Sequence, residues 1–203
     1  DFPYVIDIDR IKSDMPKSTP SMCKNKNNFD ITVFFFSGRM IPRKGLHTLL
    51  EALSKLDNKD WVLWIEGDGL EIETYKKLAK ELGIDNRCVF LGFCQYDMHS
   101  YLIRSADIVV VPSLEDRWGI VVDEGLQLGK AVVSSDATGS GFDRIKNNEN
   151  GIIFHAGSVD ELFKALKILL NDITLRKTLG ENAEKWSGNV RPVDNCLAIE
   201  RIL

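Results

Sequence analysis

The sequence predicts a doubly wound α/β domain, about six parallel strands flanked by helices, followed by a helical C-terminal tail. Three observations point there. Short apolar runs recur at ITVFFF (31–36), WVLWIE (61–66), RCVFLG (87–92), DIVVVP (107–112), AVVS (131–134) and GIIF (151–154), each the length of a buried strand. Amphipathic segments separate them, the alternation that builds βα units and a parallel sheet. Most runs end in a loop of glycine and small or polar residues.

Taken in order, residues 1–29 carry Pro3, Pro16 and Pro20 and a Lys/Asn/Ser-rich stretch from Lys17 to Asn28. Without sustained periodicity they read as a linker between domains. The domain itself spans 30–171, with helices expected at 45–56, 71–82, 97–104, 119–128 and 158–170. In the second of these Ile72, Tyr75, Leu78, Ala79 and Leu82 recur at three and four, with Lys and Glu between them, and Gly83 stops the helix. Gly125 lets the fourth helix approach the sheet. Ser158 is an N-cap whose capping box is completed by Glu161. The segment 172–203 reads as helix alone; having no strand to cover, it is expected to pack onto another domain.

Composition narrows the function. The 203 residues carry a formal net charge of −4, so the chain offers no overall field for nucleic acid or anionic lipid, and any basic function is local. No apolar run approaches the roughly 20 residues of a membrane span, and the start, DFPYVIDIDR, lacks the features of a secretory signal. A cytoplasmic chain is expected, or a piece of something larger. Cys23, Cys88, Cys94 and Cys196 show no CxxC spacing and are expected as reduced, mostly buried thiols. His47, His99 and His155 are scattered, with no metal-ligand spacing; each reads as a surface or packing residue, and no metal is expected.

Chemistry is expected at the carboxyl edge of the sheet, where βα loops and helix N-termini present free N–H groups. Gly38-Arg39 follows the first run, Gly67-Asp68-Gly69 the second, Gly92-Phe93 the third, Ser113 to Gly119 the fourth, and Thr138-Gly139-Ser140-Gly141 the fifth. Arg39, Arg43 and Lys44 make the one local cationic cluster at this edge. An arginine fork and a lysine point charge suit phosphate oxygens. The fourth loop, SLEDRWGIVVDEG, adds Asp116 and Glu124 with seven residues between them. Carboxylates beside phosphate-binding cations suit sugar or ribose hydroxyls, although acids near a helix N-terminus also serve the helix itself. Trp118 reads as an anchor of its loop to the core.

The ordered set GRMIPRKG, IEGDG, VFLGF, ADIVVVPS, DRWGIVVDEGLQLGKAVVSSD and NGIIF resembles the C-terminal, donor-binding domain of family-4 glycosyltransferases of the GT-B fold, over about residues 31 to 171. The resemblance implies a Rossmann-like domain that binds a nucleotide-diphosphate sugar, of UDP or GDP type, and transfers the sugar with retention of configuration, without a cofactor. In such enzymes Arg39 and Lys44 would grip the donor diphosphate, Asp116 would touch the donor sugar, and Glu124 would hold the ribose hydroxyls. Gly38, Gly67, Gly69, Trp118, Gly119, Ile120 and Val121 would line the donor site, and Phe93 and Cys94 would cradle the base.

Two departures from the pattern stand out. The family has Glu where this chain has Asp116, one methylene shorter and preceded by Glu115, so either acid could serve. The N-terminal domain, which binds a glycan or lipid-linked acceptor, has no counterpart here. The expectation is therefore a fragment that binds donor weakly and transfers little, from an enzyme of polysaccharide biosynthesis that is cytoplasmic or peripheral at the inner face of the membrane. The rivals are a non-catalytic sugar-phosphate-binding module and half of a dinucleotide-dependent oxidoreductase. The latter lacks its GxGxxG, since SGRMIP follows the first strand.

Overall fold

The computed structural model describes residues 31–58 and 60–187; the linker read at 1–29 and the helices read beyond 187 lie outside them. Six strands form one parallel sheet: β1 (Thr32–Ser37), β2 (Trp61–Glu66), β3 (Cys88–Gly92), β4 (Ile108–Val111), β5 (Ala131–Ser135) and β6 (Ile152–Phe154), in the order β3-β2-β1-β4-β5-β6. The order reverses between β1 and β4, which places the ligand-binding crevice of such a sheet at their carboxyl ends.

The FFF run is explained by helices on both faces. Phe34 and Phe36 point into one core, with Leu63, Ile65, Val110 and Val133; Val33 and Phe35 point into the other, with Trp64, Val109, Val111 and Val132. A strand buried on both sides has no polar face to show. The first core is covered by α1 (Leu46–Ser54), α2 (Ile72–Glu81) and α6 (Val159–Asn171), the second by α3 (Tyr96–Ser105) and α4 (Ile120–Gln127). The four buried leucines of α1, Leu46, Leu49, Leu50 and Leu53, form its sheet-facing stripe.

Gly125 does what its position in the sequence suggests. A Cβ there would stand 2.8 Å from Val132 Cγ2 and 3.3 Å from Val109 Cγ2, so α4 lies against the sheet only without a side chain. Gly83, at φ +69°, follows α2. Ser158 caps α6 by accepting from the Glu161 N–H at 3.3 Å, but the Glu161 carboxylate turns to the His155 N–H at 2.7 Å instead of closing the box on Ser158.

Two parts add to the sequence reading. The fifth glycine loop contains a short helix, α5 (Gly139–Arg144), hidden from periodicity by its brevity and its two glycines. The tail helix α7 (Ile173–Ser187) packs on this domain; the rest of the tail, read as packing onto another domain, lies outside the described residues. Leu179 joins the first core and Ala183 the second, Arg176 Nη1 donates to Thr32 Oγ1 at 2.6 Å at the start of β1, and Gly180 presses on the Gly129 backbone. α7 thus closes the amino edge of the sheet, opposite the crevice. No helix among the described residues is long and apolar enough to cross a membrane. Cys88 and Cys94 are free thiols, each only partly buried.

Candidate functional site

At the β1/β4 crossover lies a cleft of about 490 Å³. The loop after β1 brings Gly38, Arg39 and Lys44 to it; the loop after β4 brings Asp116, Trp118 and Gly119; the first turn of α4 brings Ile120 and Val121. With Arg43 beside them, these residues singled out in the sequence therefore meet in one place.

These loops are held by their backbones. Gly45, at φ +69°, ends the 3₁₀ turn Pro42–Lys44, and a Cβ there would fall 1.9 Å from the Pro112 carbonyl oxygen. The Arg43 carbonyl accepts from the Leu114 N–H at 2.7 Å, while Arg43 Nη1 donates to the Glu115 carbonyl at 3.1 Å. Arg43 is thus a tie between two loops. On the other side Ser140 Oγ donates to the Trp118 and Gly119 carbonyls, and the Asp116 N–H and carbonyl pair with Ala137 and Gly139. The fifth loop is accordingly a brace for the fourth. Gly119 stands at φ +82° with Thr138 Cγ2 2.4 Å from where a Cβ would be, so it starts α4 in a conformation and a space that favour glycine.

Gly67 and Gly69 act from behind. A Cβ on Gly67 would reach the Gly38 carbonyl at 1.9 Å, and one on Gly69 the Met40 carbonyl at 2.6 Å; Met40 N–H donates to the Asp68 carbonyl at 2.9 Å. They shape the cationic loop without lining the cleft. Phe93 is 74% exposed, and Cys94 packs at the edge of the second core, its thiol raised by burial and by nearby Glu66.

The charges fall into two arrangements. Lys44 Nζ donates to Asp116 Oδ2 at 2.5 Å, with the two side chains 19% and 12% exposed; Arg39 is exposed and enters no ion pair among the described residues. Asp116, not the exposed Glu115, is the acid in the cleft. Glu124 lies beneath, buried in α4, and does not line the cleft. Its Oε2 meets His99 Nε2 at 2.9 Å, while His99 Nδ1 meets Glu66 Oε2 at 2.6 Å. Sequence reading set His99 aside as a surface or packing residue. The available signal was Glu66, a charge ending a buried strand, which needs a partner; spacing alone does not say that the partner is 33 residues away.

Trp118 is anchored as its sequence position suggests. Its Nε1 donates to Asp123 Oδ2 at 2.7 Å, and the Arg144 guanidinium lies 5.3 Å over its ring. Burial pushes the Asp123 carboxyl up to about 6 against the pull of Trp118 and Arg144. Beyond this wall a second hollow of about 750 Å³ opens, with Asp116 and Trp118 on the shared side and Phe142 and Asp143 across it.

The family described as glycosyl transferases group 1 matches residues 21–186. The chain is 32% identical over 181 residues to the lipopolysaccharide core biosynthesis glycosyltransferase LpsE of Rhizobium meliloti, covering 89% of this chain and 48% of that protein. Among solved structures it resembles Anabaena HepE in complex with UDP and glucose (TM-score 0.76, 26% identity, 85% of this chain and 47% of that one). It also resembles the C-terminal domain of the group 1 glycosyl transferase LpcC of Francisella tularensis (TM-score 0.71, 24% identity, 79% and 85%), a likeness of fold. The chain spans about half the length of the curated relatives it matches. With the family profile running through every strand of the sheet, this chain belongs to the glycosyl transferases group 1 family.

Proposed function

We propose that this chain is the donor-binding half of a family-4, retaining glycosyltransferase. It takes a nucleotide-diphosphate sugar of UDP or GDP type and passes the sugar to a glycan or lipid-linked acceptor held by an N-terminal domain. One observation carries the reading: the cleft at the crossover joins Lys44, Arg39, Asp116 and the N-terminus of α4 within one pocket. Oriented N–H groups and two cations favour a diphosphate. HepE, a relative in fold and sequence, was solved with UDP and with UDP-glucose.

In this reading Arg39 and Lys44 neutralise the charge that develops on the leaving diphosphate as the glycosidic bond breaks. Asp116 accepts from a sugar hydroxyl, and Glu124 accepts from the ribose. Phe93 and Cys94 flank the base. Trp118 and the Gly119–Val121 backbone form the wall along which sugar and phosphate lie.

Calorimetric titration with UDP, GDP, ADP and NAD is the test. Selective binding of one nucleoside diphosphate is expected, together with a loss of about 1.5–3 kcal/mol in Lys44→Ala, the scale of a hydrogen bond to a charged group. Unchanged affinity in Lys44→Ala removes the phosphate role, and preference for NAD favours an oxidoreductase.

A further inference from the structure

Glu124, the residue assigned above to the ribose, does not stand alone. It is one end of a row of three buried groups running Glu66, His99, Glu124. The imidazole is 13% exposed and the two carboxylates 7% and 6%. An ionised carboxylate only accepts hydrogen bonds, so two of them at opposite ring nitrogens require both nitrogens to carry hydrogen. His99 is therefore an imidazolium. Burial works against that charge, but the hydrogen bonds and the attraction of Glu124 and Glu66 prevail and push His99 up to about 10. The ring rests near Phe35, centroids 6.0 Å apart. The two carboxylates sit on opposite sides of it and do not converge, and no cluster able to hold a metal occurs among the described residues.

The row is wired to the rest of the site. Glu66 ends β2, and its main-chain carbonyl accepts from the Gly38 N–H at 3.1 Å. The residue that grips His99 by its side chain therefore grips the cationic loop by its backbone. At the other end His99 engages Oε2 of Glu124. In the proposed reading Oε1 is then the oxygen that accepts from a ligand hydroxyl. A free glutamate has three side-chain torsions to order on binding; one clamped by an imidazolium has already lost that freedom.

We propose that His99, backed by Glu66, is a positioning residue that holds Glu124 ready to accept from the ribose hydroxyls, and so makes the site selective for ribonucleotides over nucleotides lacking those hydroxyls. The inference rests on the reading of Glu124 as the ribose contact. A site built to bond a hydroxyl rejects the analogue without it because its own polar group is then left unpaired.

The experiment compares affinities for UDP and GDP with those for their 2′,3′-dideoxy analogues, in the unaltered chain and in His99→Gln, Glu66→Gln and Glu124→Gln. Thermal melts check that each variant is folded. The unaltered chain is expected to prefer the ribonucleotide by about tenfold or more, the scale of a hydrogen bond to a charged group. His99→Gln should shrink that ratio by about threefold or more while leaving dideoxy affinity unchanged, and Glu66→Gln, which keeps the bond to Glu124, should shrink it less. A purely structural role would weaken both ligands alike and leave the ratio intact, which overturns the proposal. If His99→Gln does not fold, Glu66→Gln carries the same comparison. Should Glu124→Gln abolish the preference while the His99 and Glu66 variants keep it, the positioning role fails and the ribose reading stands. If Glu124→Gln also keeps it, or the unaltered chain shows none, the ribose reading falls and the proposal with it.

Discussion

Two ion-paired groups serve this crevice, one in its wall and one beneath its floor, and they are built to opposite specifications. Lys44–Asp116 is a single contact at the cleft wall, with both side chains reached by solvent. Glu66–His99–Glu124 is a double contact beneath the floor, with its carboxylates almost sealed. An accessible lysine can pass its hydrogen bonds to an incoming phosphate, because its three donors are not all engaged. A buried imidazolium with both donors committed cannot. The first pair is suited to exchange and the second to fixation, and the proposed donor, with a flexible diphosphate at one end and a rigid ribose at the other, has use for both.

The sharpest way to break this contrast is to empty the buried row. His99→Leu leaves two buried carboxylates facing each other without the cation, and is expected to destabilise the fold by about 3–5 kcal/mol, as breaking a buried pair does. Urea unfolding of the chain and the variant measures it; a loss below about 1 kcal/mol would class the row with surface pairs.

The same contrast has a pH signature. His99 is held up to about 10 in the folded chain, against about 6.5 when unfolded. With the folded value raised, its contribution is fully present below about pH 6.5 and is lost progressively as pH rises toward 10, because over that range the folded state keeps a proton the unfolded state has released. Stability measured from pH 6 to 10 should therefore fall more steeply in the unaltered chain than in His99→Gln. Parallel curves would mean that His99 is neutral in the fold.

How far these two groups could be read from the sequence differs for the same physical reason. Lys44 and Asp116 sit in loops that follow strands, and the rule that ligands gather at the carboxyl edge of a parallel sheet brings them together once β1 and β4 are recognised. The apolar runs are so continuous that all six strands lie within about a residue of their expected places. His99 and Glu66 meet through packing: one lies on the first turn of a helix, the other ends a strand, and their meeting depends on how α3 is seated on the sheet. Periodicity encodes which face is apolar, not which polar atoms meet beneath it. The brace of the fourth loop by Ser140, and by Ser135 donating to the Ser113 carbonyl, was unreadable for that reason too, since hydroxyls bonding distant carbonyls leave no spacing signature. The seat of α7 on this domain was not legible either, because a helix without its own strand can still cover the amino edge of a sheet, as α7 does with Leu179 and Ala183.

The smallest expected effect bears on the exchangeable pair. Asp116 engages Lys44 and, in the proposed reading, adds negative charge where a diphosphate would lie. Asp116→Asn removes the charge while keeping the shape, so UDP should bind tighter by about 0.5–1 kcal/mol, the scale of a partly exposed pair. UDP-glucose should gain less if, as proposed, Asp116 accepts from its sugar. Calorimetry with the two ligands separates the effects. Weaker UDP binding in the variant would reverse the interpretation: Asp116 would then be holding Lys44 in its productive position, and the wall pair would be a fixture like the one beneath the floor.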